Sequence, residues 1–320
     1  MPYIADRLAH DADSHLMELD DCLDGHFQPS LLASFHASAG YRAALARGLR
    51  PGRSRAAHAD PAFRAGVEAG LMLRKNHEAH GAFIAADRPR ALDLLGVASQ
   101  LVFTTFCLGN FGLDQGDDLA LAYAAADAHN RMITGFCALD ARLLAAAYVP
   151  LEDFAAARAS AELALSLGAK ALMVPSLCPR RHGPSHVGLD PLWALAQEAG
   201  VPVLFHVGGE EKMNPVYKRN GAPPVPDFHG GDDNFTSVSY MTIPQAVMQT
   251  LDLDLRRRVR PLPRPEVGRD RAGGLLAAGL AAGDGLGRPC LPPQRDPAAA
   301  TLSPAQRDRP APAARHALSA

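Results

Sequence analysis

Leu143-Leu144-Ala145-Ala146-Ala147-Tyr148-Val149, then Leu151–Leu167, then Ala169-Lys170-Ala171-Leu172-Met173-Val174-Pro175, with Gly168 before the last run, form the stretch that decides the fold. The first and third runs are short and apolar on consecutive positions, as strands covered on both faces are. The middle run has helical spacing, and Gly168 stands where a C-cap glycine would close it. This is a strand–helix–strand unit, and its neighbours repeat it. Upstream, Gln100–Phe106 reads as a buried strand after a helix over Pro89–Leu95, and Leu119–Phe136 reads as the helix leading onward. Downstream, Asp190–Ala199 reads as a helix stopped by Gly200, and Val201–Val207 as a fifth strand, with Ile243–Leu251 beginning the helix after it. The first strand is His10-Asp11-Ala12-Asp13-Ser14-His15, whose C-terminal end is unusually polar for a buried strand. Residues 30–90, rich in Arg, Ala and His, read as helices and loops outside the sheet.

Strands alternating with helices predict a parallel α/β sheet. Five such units in 250 residues fit the first part of a (β/α)8 TIM barrel. A doubly wound sheet is the alternative, but no GxGxxG follows any strand, and Gly208-Gly209 is the one glycine pair placed after one. Five strands do not close an eight-stranded barrel, so the first and fifth are expected to leave open edges prone to aggregation.

Composition narrows the function. Of 320 residues, Lys and Arg supply 32 and Asp and Glu 34, a net charge of −2 that excludes binding nucleic acid through phosphate neutralisation. No apolar run approaches the roughly 18 residues of a membrane span, and the start Met1–Arg7 is too polar for a secretory signal. The five cysteines are scattered without a CxxC, which points to a reduced, cytoplasmic protein without a thiolate zinc site.

A break lies near residue 251. Residues 251–320 contain no Lys, Ile, Phe, Tyr, Trp, Met or Asn, and Arg, Pro, Gly and Ala fill 43 of those 70 positions. Such a segment lacks the large side chains that offset the entropy of ordering it. The chain therefore divides into a partial barrel domain, 1–251, and a tail, 252–320, with two readings of the tail. One is a disordered basic extension. The other is out-of-frame translation of a GC-rich gene. Codons can be chosen for Asp254–Pro263 and Val267–Leu286 that read, one base later, as a helix end, a strand Leu-Gly-Val-Ile-Glu and an aromatic-rich amphipathic segment.

In such barrels chemistry sits at the C-terminal ends of the strands. The polar groups there are Asp13 and His15 after the first strand and His206 after the fifth. Residues two apart share a face of an extended strand, so Asp13 and His15 point together. One Asp and one or two His suit a borderline divalent ion such as zinc. Taken singly, a DxH pair occurs by chance and a His ending an apolar run is more often a satisfied core residue. The three together, on one rim, make the stronger pattern.

At this point the chain resembles a family. Asp11-Ala12-Asp13-Ser14-His15-Leu16-Met17-Glu18 is similar to the opening motif of the amidohydrolase-related Amidohydro_2 group, with Asp13 where the first His of HxH stands. Ala91–Val97 with Leu101-Val102-Phe103 resembles the second-strand signature. Asn130–Gly135, Asp140–Leu143, Gly168–Ala171 and Asp190–Trp193 through Gly200–His206 follow in the family's order. The group includes metal-dependent hydrolases and decarboxylases of the aminocarboxymuconate semialdehyde type. The resemblance implies Asp13, His15 and His206 as ligands of a divalent metal, zinc first. It also implies a polar residue ending strand six, which only the shifted frame supplies as Glu, and an Asp after strand eight, which has no equivalent here. No catalytic acid or base is therefore assigned, and the written chain is expected to bind metal poorly and to be inactive or nearly so.

Other groups have two readings each. Glu18, three residues beyond His15, either orients that imidazole from behind or is a solvated loop carboxylate. Arg180, Arg181 and His182, with His186, lie on the loop after strand four, as a carboxylate clamp for substrate or as a charged loop. Lys170 begins its strand, on the wrong rim for a carboxylated metal-bridging lysine, and reads as solvated. Gly208–Thr236 is long for a strand-to-helix connection and reads as a substrate lid. His77 and His80 read as surface residues.

The expected function is metal-dependent hydrolysis of a C–N or C–O bond in a small organic substrate. The alternative is non-oxidative decarboxylation of an aromatic or unsaturated acid. A third reading is a non-catalytic remnant whose basic tail binds an acidic partner. No nucleic-acid or membrane partner is expected, and the intact family fold is compatible with a homo-oligomer.

Overall fold

The computed structural model describes residues 2–47 and 52–206. These lie within the first of two compact units, Met1–Ala281. The second unit, Ala282–Ala320, lies outside the described residues, as do the expected lid 208–236, the helix start at 243–251 and the tail 252–320.

Strand β1 (His10–His15) opens the chain and is followed by α1 (Pro29–Ala37), α2 (Ala39–Arg47), α3 (Gly52–Ala59), α4 (Pro61–Ala69) and α5 (Arg88–Leu95). Then come β2 (Ser99–Phe103), α6 (Leu119–Cys137), β3 (Leu143–Tyr148), α7 (Phe154–Ser166), β4 (Ala171–Val174), α8 (Asp190–Ala199) and β5 (Val203–Phe205). The strands pair in parallel in the order β1-β2-β3-β4-β5. The described residues of the excursion at 30–90 form helices and loops and no strand, as expected. Helix α7 is shorter than its apolar run because a capping residue takes the start. Asp153, inside the run 151–167, adopts an extended backbone and accepts from the Ala156 N–H, so α7 starts at Phe154. Gly200, at φ 65°, ends α8 in the left-handed region and turns the chain into β5.

Alternate residues divide the sheet into two faces. Ala147, Val149, Leu172, Val174, Val203 and Phe205 pack under α7 and α8 with Leu192 and Trp193. Phe103, Ala146, Tyr148, Ala171, Met173 and Leu204 form the opposite layer. The sheet is curled into a half-barrel. Laid flat at about 4.8 Å per strand, β1 and β5 would stand about 19 Å apart. Instead, the side chain of His206, just past β5, meets those of Asp13 and His15 on β1. Phe103 of β2 lies beside both rings, 6.0 Å from His15 and 4.9 Å from His206, which are themselves 4.9 Å apart.

β1 spans the residues read for it, and its register to β2 shifts between Asp11 and Ser14, so one more residue of β1 than of β2 lies between those pairings. One expectation is corrected. His80 is no surface residue: it is buried, with Nε2 3.7 Å from Glu68, and burial lowers its pKa. His77 is half-covered, its ring over Phe106 and its Nε2 3.1 Å from the Glu18 carbonyl.

Candidate metal centre

The C-terminal ends of parallel strands share one edge of the sheet, and here Asp13, His15 and His206 converge. His15 Nε2 lies 3.1 Å from His206 Nε2, His206 Nε2 lies 3.2 Å from Asp13 Oδ1, and Asp13 Oδ1 lies 3.4 Å from His15 Nε2. The triangle fits a divalent ion. Donors about 2.0–2.1 Å from a tetrahedral zinc stand about 3.3 Å from one another. The donor chemistry agrees, with two imidazole nitrogens and one carboxylate suited to a borderline cation. Electrostatics agrees as well. Three lone-pair donors this close repel unless a positive charge, proton or metal ion, sits among them. Its close contacts with the His15 imidazole, then with that of His206, hold the Asp13 carboxyl well below the usual carboxylate range, so it stands as an anion. Among the described residues, Asp13, His15 and His206 form the group with the spacing of a metal site.

The centre rests on a polar scaffold that the sequence reading did not single out. Arg88, at the start of α5, is buried behind β1 and β2. Its guanidinium donates to Gln100 Oε1 (2.9 Å), the Gly81 carbonyl (3.1 Å), the His15 carbonyl (3.2 Å) and Ser14 Oγ. Gln100 in turn donates to Asp11 Oδ2 at 3.0 Å. This network holds the Asp11 and Ser14 side chains and the His15 carbonyl, on both sides of the bulge that carries Asp13. A buried Arg four residues before an apolar helix face reads, in sequence, as one more surface cation of the excursion.

Glu18 does not reach the His15 ring. It is fully buried, and its carboxylate takes the Thr105 N–H (3.1 and 3.2 Å), the Phe106 N–H (3.1 Å) and the Thr104 hydroxyl. Desolvation raises its pKa despite these donors. The group nearest the far side of His15 is Thr105, whose hydroxyl lies 3.2 Å from Nδ1. Only the position of Thr104-Thr105, as the polar pair near the end of the run Gln100–Phe106, could have flagged it.

The remaining candidates are engaged elsewhere. Arg180 donates to Asp117 Oδ1 (2.9 Å) and the Gly116 carbonyl (2.8 Å), tying the loop after β4 to the loop before α6. Arg181 is exposed. His182 packs against the Phe154 ring at 4.6 Å and against His186 at 5.4 Å. Lys170 precedes β4 at the opposite edge from the centre and is exposed. A buried acid absent from the sequence reading, Asp114, accepts from the Tyr148 hydroxyl at 2.7 Å, and burial pushes its carboxyl up to about 6.

Five parallel strands, curled so that an imidazole beyond the fifth meets a carboxylate on the first, define a protein of the (β/α)8-barrel class. The chain belongs to the amidohydrolase family Amidohydro_2, whose profile matches residues 11–264 and so runs past the compositional boundary at 251. Among solved structures it is similar to an amidohydrolase of Mycobacterium avium subsp. paratuberculosis, at 19% identity and a TM-score of 0.52, over 80% of this chain and 70% of that one. It is also similar to 2,6-dihydroxybenzoate decarboxylase from Rhizobium, at 19% identity and a TM-score of 0.37, over 53% of this chain and 52% of that one. The same decarboxylase activity names a structure complexed with 2,6-dihydroxybenzoate, at 15% identity and a TM-score of 0.41, over 78% of this chain and 64% of that one. A search of curated proteins found no match. No helix among the described residues is long and apolar enough to cross a membrane.

Proposed function

We propose that Asp13, His15 and His206 hold a divalent metal, zinc first, and that the site serves hydrolysis of a C–N or C–O bond in a small organic substrate. The observation that carries this reading is the donor triangle of 3.1, 3.2 and 3.4 Å on one rim of the half-barrel. Family membership supports the metal-dependent chemistry without choosing the substrate. When bound, such an ion supplies Lewis acidity: it polarises a carbonyl or carboxylate oxygen and makes water a stronger acid. The chain's own part is to hold that charge in place. Asp13 contributes the negative charge, being ionised through the physiological range, and its two imidazole neighbours contribute neutral donors. Phe103, packed beside both rings, covers one side of them with an apolar surface. Three protein donors leave room for a substrate oxygen, as catalytic zinc sites do.

Metal analysis of the purified full chain tests this. The expected result is weak but measurable uptake of zinc, lost in Asp13→Ala and in His206→Ala. A wild-type chain that takes up no divalent metal from zinc, manganese or cobalt overturns the reading and favours the non-catalytic remnant. Given metal uptake, a panel of amides, lactones and aromatic acids separates the reactions. Water-dependent cleavage marks the hydrolase, and release of carbon dioxide from an aromatic acid marks a decarboxylase in its place.

A further inference from the structure

The Thr105 hydroxyl sits between two groups whose needs decide its one proton. It lies 2.8 Å from the Leu16 carbonyl oxygen, which can only accept, so the hydroxyl donates there. The other neighbour, 3.2 Å away, is His15 Nδ1. With its proton committed, the oxygen can only accept from that nitrogen, so Nδ1 must carry the hydrogen. A neutral imidazole has one N–H, and Nε2 is therefore left with the lone pair. Nε2 is the nitrogen that faces Asp13 and His206.

We infer that Thr105 is a positioning residue for the metal centre: by accepting from His15 Nδ1–H it holds the ring in the tautomer and orientation that present Nε2 to a cation. This rests on the metal reading above. The hydroxyl is itself held. The Thr105 N–H is bound by both oxygens of the buried Glu18 carboxylate, with the Phe106 N–H and the Thr104 hydroxyl closing round the same group. The Leu16 carbonyl is fixed in turn, because the Leu16 N–H donates to the Phe103 carbonyl at 2.8 Å. Glu18 thus reaches the centre through the backbone of Thr105 and not by touching His15. The outer partner of a metal-bound imidazole is commonly a carboxylate or backbone carbonyl. Here a hydroxyl takes that place, with the carboxylate one step further back.

The test uses the full chain labelled with 15N in its histidines. In the metal-free wild type, the His15 resonance, identified by its loss in His15→Gln, is expected as the Nδ1–H tautomer. Thr105→Val keeps the shape but not the acceptor, and is expected to release the tautomer and weaken zinc binding in a chelator competition by about 10–100-fold. Thr105→Ser is expected to restore both. A wild-type His15 in the Nε2–H form overturns the inference without any variant, and so does a Thr105→Val chain with wild-type tautomer and affinity. If wild type takes up no metal at all, the metal reading fails while the tautomer measurement still decides this one.

Discussion

At the scale of single residues, burial decides which groups titrate and which merely bond. Asp13 and Asp114 are both aspartates near strand ends, yet they shift in opposite directions. Two imidazole partners depress Asp13, whereas the loss of water around Asp114 outweighs its bond from Tyr148 and raises it to about 6 from 3.8. Between those two values the folded chain keeps a proton that the unfolded chain has released. Its stabilising contribution is therefore complete below about pH 3.8 and is lost as the pH rises through 6, by at most about 3 kcal/mol. Asp114→Asn keeps an acceptor for Tyr148 and removes the titration. Urea unfolding of both proteins at several pH values is expected to show wild type losing ground to the variant between pH 4 and 7. A constant gap would contradict the assignment. At this scale, Asp13 and His15 were legible in the sequence as a D-x-H pair at a strand end, and His206 as a polar residue closing an apolar run. Arg88, Thr105 and Asp114 were not, because a side chain's partners do not follow from its neighbours in the chain.

Among the elements, helix ends show how local conformation and packing separate. Gly200 and Gly96 both close helices with positive φ, at 65° and 79°. A Cβ at Gly200 would meet nothing, so Gly200→Ala is expected to lose only the conformational preference, about 1 kcal/mol. A Cβ at Gly96 would stand 2.0 Å from the Ile4 carbonyl oxygen, where the N-terminal segment bonds to the end of α5. Gly96→Ala is therefore expected to cost clearly more, as the difference in urea midpoints of the two variants will show; equal losses would contradict the packing argument. Helix stops such as Gly200, and the apolar runs of β2 to β5, could be read because their causes are local. The bulge in β1 could not. It is created by the register against β2 and by Arg88 holding Ser14 and the His15 carbonyl from behind.

For the whole molecule, the open question of the gene belongs with the tail. The composition of residues 251–320 motivates the proposal that they are read out of frame. Sequencing the DNA is expected to find codons over 254–286 that, one base later, encode a strand ending in a carboxylate. Codons that forbid the shifted reading sink the proposal. If the frame is restored, zinc affinity is expected to rise, since further strand ends would bring their own polar groups to the rim. By itself the sequence determined the alternation of strands and helices, the parallel sheet that alternation requires, and the residue types gathered at strand ends, because periodicity and capping act over a few neighbouring residues. Only the tertiary structure decided that β1 and β5 curl toward each other, that Asp13 Oδ1 and the two Nε2 atoms meet within 3.4 Å, and that Glu18 acts on Thr105 and not on His15. Those outcomes depend on contacts between residues up to 193 positions apart, and distances across a folded sheet are set by its twist and packing, which no short stretch of chain contains.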